Sequence, residues 1–118
     1  RTTKSVAAEH TFDVNLSSEI FMLEQLESIS RQIEKRLQKH SISGKTITLK
    51  IKYSDFSLQT RSKTMPYYIS DKNLIFEIVK ELLYQERLKD SVRLLGIALS
   101  NLNTEQKKTV VIQLQFDF

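Results

Sequence analysis

Residues 45 to 53 (KTITLKIKY) alternate without a break: Ile47, Leu49, Ile51 and Tyr53 take every second position, with Thr46, Thr48, Lys50 and Lys52 between them. Side chains of a strand point to opposite faces in turn, so this segment is a strand with one apolar face to cover and one basic, hydroxyl-bearing face. A lone strand cannot cover itself. The rest of the chain must supply partner strands and an apolar layer.

Its periodicities do so. Residues 4 to 12 (KSVAAEHTF) read as a strand, although the alanines dilute the β-branched and aromatic signal. Asn15, Ser17 and Ser18 offer N-cap oxygens to a helix in which Ile20, Leu23, Leu26, Ile29 or Ser30, Ile33 and Leu37 recur at helical spacing. That helix is expected to end near His40, ahead of Gly44. Ser54-Asp55 predicts a turn, and residues 56 to 65 (FSLQTRSKTM) a second, more polar strand that Pro66 ends, so that the two strands form a hairpin. Ser70 or Asp71 can cap a second helix, with Leu74, Ile75, Ile78, Val79, Leu82 and Leu83 as its apolar stripe, running to about Leu88. In the strand 92 to 100 (VRLLGIALS), Leu95, Ile97 and Leu99 share one face, while Gly96, Ala98 and Ser100 leave backbone accessible on the other.

The order β-α-β-β-α-β predicts an α+β fold: a four-stranded, mainly antiparallel sheet with two helices on one face. The other face is then bare, carries the basic hairpin, and is the candidate binding surface. Residues 1–102 form the domain, 103–109 a polar linker and 110–118 (VVIQLQFDF) an extended tail.

Composition narrows the function classes. A chain of 118 residues has the size of one domain, and two glycines and one proline are too few for linker or disordered sequence. No apolar run approaches the ~20 residues that cross a bilayer, and the basic N-terminal stretch lacks the apolar core of a secretory signal. The absence of cysteine excludes disulfides and thiolate metal sites and fits a reducing cytoplasm. A start at Arg1, without methionine, suggests a piece of a longer protein. The net charge of +4 is concentrated: residues 41 to 66 hold Lys45, Lys50, Lys52, Arg61 and Lys63 against Asp55 alone. A local basic excess suits a polyanionic partner, because neutralised phosphates release condensed counterions, though it also describes a solvated lysine face.

Catalytic and nucleotide-binding motifs are missing. Gly44-Lys45-Thr46 resembles the end of a phosphate-binding loop, but position 39 is lysine rather than glycine and a strand follows, not a helix. His10 and His40 have no partner at metal-ligand spacing. Asp13, Asp55, Asp71 and Asp90 fall at predicted turns and element ends, where capping and turn chemistry account for them. In Thr60-Arg61-Ser62-Lys63-Thr64 an extended backbone sets Arg61 and Lys63 on one face and the hydroxyls on the other. Such donors hold DNA phosphates without reading sequence. The same pattern equally describes a polar edge strand protected by charge.

Four blocks in order, KSVAAEHTF, GKTITLKIKYSDF, TRSKTMP and VRLLGIALSNL, with a helix in each long gap, closely resemble the little finger domain of Y-family polymerases of the DNA polymerase IV group. The resemblance covers residues 4 to 102, and departs from the family pattern at Ala7, where glycine is usual. It implies a sheet that lies along the major groove of a primer–template duplex and holds its phosphates. By matching blocks, the contacts are Lys4 and Ser5 on the first strand, Thr60, Arg61, Ser62 and Lys63 on the third, and Arg93 and Ser100 on the fourth. Charge and alternation add Lys50 and Lys52. The family's catalytic carboxylates, which bind two Mg2+ ions, belong to the palm domain and have no counterpart here. The resemblance therefore implies an inactive fragment without cofactor that contributes grip and processivity to a translesion polymerase in the bacterial cytoplasm.

Gln113-Leu114-Gln115-Phe116-Asp117-Phe118 resembles the peptide that enters a pocket of the bacterial sliding clamp, through Gln113, Leu114, Phe116 and Phe118. It departs from that pattern at Phe116, where leucine is commoner. The alternation of Val110, Ile112, Leu114, Phe116 and Phe118 equally reads as a fifth strand, one that can add to a sheet edge of its own or a neighbouring molecule. Two other functions compete with duplex binding: a protein-interaction module dimerising through its sheet, and an RNA-binding sheet. The second lacks the exposed aromatic platform on which bases stack, since Tyr53 alternates with the core set.

Overall fold

The computed structural model describes residues 5–103, apart from the side chains of residues 13–16. In chain order come β1 (Ser5–Leu16), α1 (Glu19–Lys39), β2 (Gly44–Tyr53), β3 (Leu58–Ile69), α2 (Lys72–Tyr84) and β4 (Val92–Leu102). The expected order of elements is the observed one. Lys4, residues 104–109 of the expected linker and the whole tail lie outside the described residues.

The sheet has strand order β1-β4-β2-β3, and every neighbouring pair is antiparallel. It follows that β1 and β2 run the same way with β4 between them, and β3 and β4 run the same way with β2 between them. Same-direction strands need a long crossover, which α1 and α2 supply. The two β-α-β units interleave, so the central strands β4 and β2 come from different units and the edges are β1 and β3.

Both helices pack on one face of this sheet. Ile47, Leu49, Ile51 and Tyr53 of β2, with Leu95, Ile97 and Leu99 of β4, form one buried cluster with Leu26, Ile29 and Ile33 of α1 and Ile75, Val79 and Leu82 of α2. Polar groups in this layer are matched. The Ser30 hydroxyl donates to the Leu26 carbonyl at 2.8 Å, which lets a serine occupy the buried stripe. His10, also on this side, hydrogen-bonds through its ring nitrogens with Gln25 at 3.3 Å and Gln32 at 3.0 Å of α1.

Several local expectations change. β1, expected over residues 4 to 12, runs on to Leu16, which places Asp13 and Asn15 within the strand and not at its end, and Ser18 is the N-cap of α1. The buried stripe of α1 begins at Met22, and Ile20 is 73% exposed. At 100° per residue Ile20 lies about 200° around the helix from Met22, so it cannot share the stripe that continues through Leu26, Ile29 and Leu37. The helix leaves its last turn through Ser41, at φ 52°, and not through a glycine. Gly44 opens β2, where a Cβ would lie 2.9 Å from the Ser100 carbonyl oxygen, so glycine is there for close strand approach.

Pro66 does not end β3, which runs on to Ile69. The register with β2 slips between Thr46↔Thr64 and Gly44↔Ile69, and Pro66 falls in that slip on an edge strand, where a missing N–H removes no ladder bond. Finally, α2 stops at Tyr84, short of Leu88. Its last carbonyls are taken by Arg61 of β3.

Candidate nucleic-acid interface

The open face of the sheet is a grid set by strand register. Ser5, Ser100, Thr46 and Thr64 form one row across all four strands, and Ala7, Ala98, Thr48 and Ser62 the next. Glu9, Gly96, Lys50 and Thr60 form the third, and Thr11, Leu94, Lys52 and Leu58 the fourth. None of the four rows carries an aromatic side chain. The middle is low because Ala7, Ala98 and Gly96 are small, and with Thr48, Lys50 and Thr60 they line an open hollow of about 510 Å³.

Hydroxyls dominate one end of the grid. The Thr46 and Thr64 hydroxyls lie 2.9 Å apart, and the Asn101 amide donates to Thr46 at 2.6 Å. Cations gather at the other end. Lys52 pairs with Leu94 and Tyr53 with Val92, which leaves Arg93 as the extra residue of a bulge. Bulges re-aim side chains. Here the guanidinium carbon of Arg93 stands 4.7 Å from the ring centre of Phe56, and the Lys52 ammonium 5.8 Å from that same ring. Phe56 sits in the turn between β2 and β3 at φ 69° and is 61% exposed, so one aromatic ring orders two cations at the rim of the face.

Ser5, Lys50, Lys52, Thr60, Ser62 and Ser100 of the expected contact set therefore share the open face, and Arg93 reaches its rim. Arg61 and Lys63 do not. Alternation along β3 turns both toward the helices, as the sequence pattern required once Ser62 faced outward. Arg61 is 7% exposed, and its Nη1 donates to the carbonyls of Leu82 (2.9 Å), Leu83 (2.8 Å) and Glu86 (3.1 Å). It caps the end of α2, where the helix dipole concentrates partial negative charge. At the other end of α2 the Glu34 carboxylate of α1 accepts from the Lys72 amide at 2.9 Å. Lys63 pairs with Glu81 of α2 at 2.7 Å. Arg61, expected as a contact, thus has its guanidinium on the end of the helix and away from the open face, and Lys63 lies on that same side.

Other residues of the face were absent from the expected set. Thr46 and Thr48 carry the same alternation signal as Lys50 and Lys52 and were legible by it. Glu9 and Phe56 had no such signal, because their importance depends on what lies across the sheet. The Lys4 contact and the tail contacts of Gln113, Leu114, Phe116 and Phe118 fall outside the described residues.

Chemically, the face offers hydroxyls, two lysines and an arginine around a shallow floor of small residues, the kinds of donor that phosphate oxygens accept. No helix among the described residues is long and apolar enough to cross a membrane.

Comparison with known proteins agrees with the four-block resemblance. The chain is 41% identical to DNA polymerase IV of Leptospira interrogans over 115 residues, 91% of this chain and 32% of that protein. It is 39% identical to DNA polymerase IV 1 of Mesorhizobium japonicum over 106 residues, covering 88% of this chain and 24% of that protein. The chain thus spans about a quarter to a third of these curated relatives. Among solved structures, the complex of the beta-clamp processivity factor with the little finger domain of PolIV superposes with a TM-score of 0.68 at 20% identity, covering 81% of this chain and 86% of that one. A Dbh ternary complex gives 0.71 at 17% identity, over 82% of this chain and 29% of that one. At such identities the likeness shows the fold, which is that of the little finger domain. A family model described as the impB/mucB/samB family C-terminal domain matches residues 3–115, and the chain belongs to that family.

Proposed function

We propose that this chain is the non-catalytic, duplex-gripping domain of a translesion DNA polymerase IV, holding primer–template phosphates on the open face of its sheet. One observation carries this: the face opposite the helices is a polar grid of hydroxyls, with Lys50, Lys52 and Arg93, over a floor of small side chains. A face without an aromatic row suits phosphates better than stacked RNA bases. One built largely of hydroxyls and charges gives an apolar sheet dimer little to bury. The parent enzyme would supply nucleotidyl transfer and its Mg2+ from another domain, and would act in the cytoplasm on the nucleoid. This domain would need no cofactor.

The tail Gln113-Leu114-Gln115-Phe116-Asp117-Phe118 supports a second contact, with the sliding clamp. The related little finger domain solved in complex with the beta-clamp gives that contact a precedent in the same fold. Removal of residues 110–118 would then abolish clamp binding and leave DNA binding intact.

The test is fluorescence anisotropy of a labelled primer–template duplex at rising salt, comparing this chain with Lys52→Gln/Arg93→Gln. Wild-type binding is expected in the range of about 10⁻⁴ to 10⁻⁶ M, falling with salt. The double variant should flatten the logarithmic salt slope by about 0.9 for each lost phosphate contact. No salt-sensitive binding even at low salt would refute the grip.

A further inference from the structure

One carboxylate stands in the four rows of the open face: Glu9, on edge strand β1. Lys50 is in the same row, but on β2, with Gly96 of β4 between them in register. Residues two strands apart lie about 9 to 10 Å apart along the sheet, and an intervening side chain normally separates them. Here the middle position is glycine. The Lys50 ammonium and the Glu9 carboxylate meet across it at 3.4 Å. A Cβ on Gly96 would stand 3.0 Å from the Cβ of Glu9 and 3.6 Å from that of Lys50, in the space the pair spans.

The pair lies at the hollow where small residues let a phosphate come nearest the backbone, and both partners line that hollow. A phosphate arriving at its centre meets a lysine already neutralised and a carboxylate beside it, while the remaining cation of the hollow, Arg36 of α1, donates to the Ala7 carbonyl of edge strand β1. Lys52 and Arg93, by contrast, are held by an aromatic ring, which orders them without cancelling their charge. The two side chains of the pair are 41% and 49% exposed, so the bond between them is weak and open to exchange.

We propose that Glu9 is a grip-moderating residue: it holds Lys50 in reserve through the Gly96 gap and keeps the centre of the face from binding a phosphate at full strength. The duplex is then held by the hydroxyl rows at one end and by Lys52 and Arg93 at the other, with a yielding middle over which it can slip. This rests on the duplex-gripping function proposed above.

The test is a two-by-two set of wild type, Glu9→Gln, Lys50→Gln and the double variant, each titrated with the same duplex over a range of salt. Freeing Lys50 from a surface pair should tighten binding about 1.4- to 5-fold at moderate salt, the range that such pairs span. It should also steepen the salt slope by about 0.9, as one more phosphate is neutralised. Both changes should vanish when Glu9→Gln is made in the Lys50→Gln background. Binding by wild type that Glu9→Gln leaves unchanged or weakens overturns the inference and leaves the grip standing. An equal gain in the Lys50→Gln background also overturns it, because Glu9 would then act by plain repulsion. If neither wild type nor Glu9→Gln shows salt-sensitive binding, the gripping function itself fails and takes the inference with it.

Discussion

Replacing Arg61 with alanine removes a guanidinium that ties β3 to the end of α2. Its Nη1 has two hydrogens for three carbonyl oxygens, those of Leu82, Leu83 and Glu86 at 2.8 to 3.1 Å, so two bonds are made at a time. Hydrogen bonds to a charged group contribute about 1.5–3 kcal/mol each, and a cation at a helix C-terminus adds about 0.3–1 kcal/mol. Against this stands a cost already present in the native state: the buried Nε of Arg61 has no partner, a penalty of about 1–3 kcal/mol that the substitution relieves. The net expectation for Arg61→Ala is a destabilisation of about 2–4 kcal/mol. At about 4–8 °C per kcal/mol for a domain of roughly 100 residues, the melting temperature should fall by about 8 °C or more.

Urea and thermal unfolding followed by far-UV circular dichroism measure the loss. Duplex binding should be measured at a temperature where both proteins are folded, and there the variant should keep most of the wild-type salt slope. Arg61→Lys, which preserves the charge but not the fork, should recover part of the stability. The opposite pattern, stability within about 0.5 kcal/mol of wild type together with a lost salt slope, would refute the assignment of Arg61 to the helix and return it to the DNA.

Two further substitutions probe the frame of the site. Gly44→Ala places a Cβ 2.9 Å from the Ser100 carbonyl, against backbone that cannot swing aside, and should destabilise by about 1–3 kcal/mol in urea unfolding. A change below about 0.3 kcal/mol would mean the strands can part there. In the turn before β3, Asp55 accepts from the hydroxyl and the amide of Ser57, and these bonds, the hydroxyl foremost, hold its carboxyl below the usual carboxylate range. A depressed native pKa stabilises the fold above the unfolded-state value, and that contribution is lost as pH falls through the native one. Ser57→Ala should raise the Asp55 pKa and shrink this acid-side loss, as an NMR titration of its carboxyl and unfolding at two acidic pH values would read.

Much of this architecture was legible because it follows from local pattern. The unbroken alternation from Thr46 to Tyr53, the stripe from Leu26 to Leu37 and that from Leu74 to Leu83 each state a period, and the period states the element. The small residues Gly96, Ala98 and Ser100 were correctly opposed to Leu95, Ile97 and Leu99, so the floor of the open face could be read from one strand. Pro66 and the end of α2 were misplaced because an edge position and a distant guanidinium decide them, and neither is a local property.

The sequence by itself determined which residues of each strand share a face, since a period of two admits no other arrangement once one side is buried. It therefore already separated Arg61 and Lys63 from Thr60, Ser62 and Thr64. Only the tertiary structure decided which of those sides meets the helices and which the solvent, because a strand's pattern names two faces without saying what covers each. The same limit explains Glu9. Its pairing with Lys50 spans 41 positions of sequence and depends on Gly96 lying between them in register. Register across three strands is fixed by the packing of the whole sheet, and no single segment carries it.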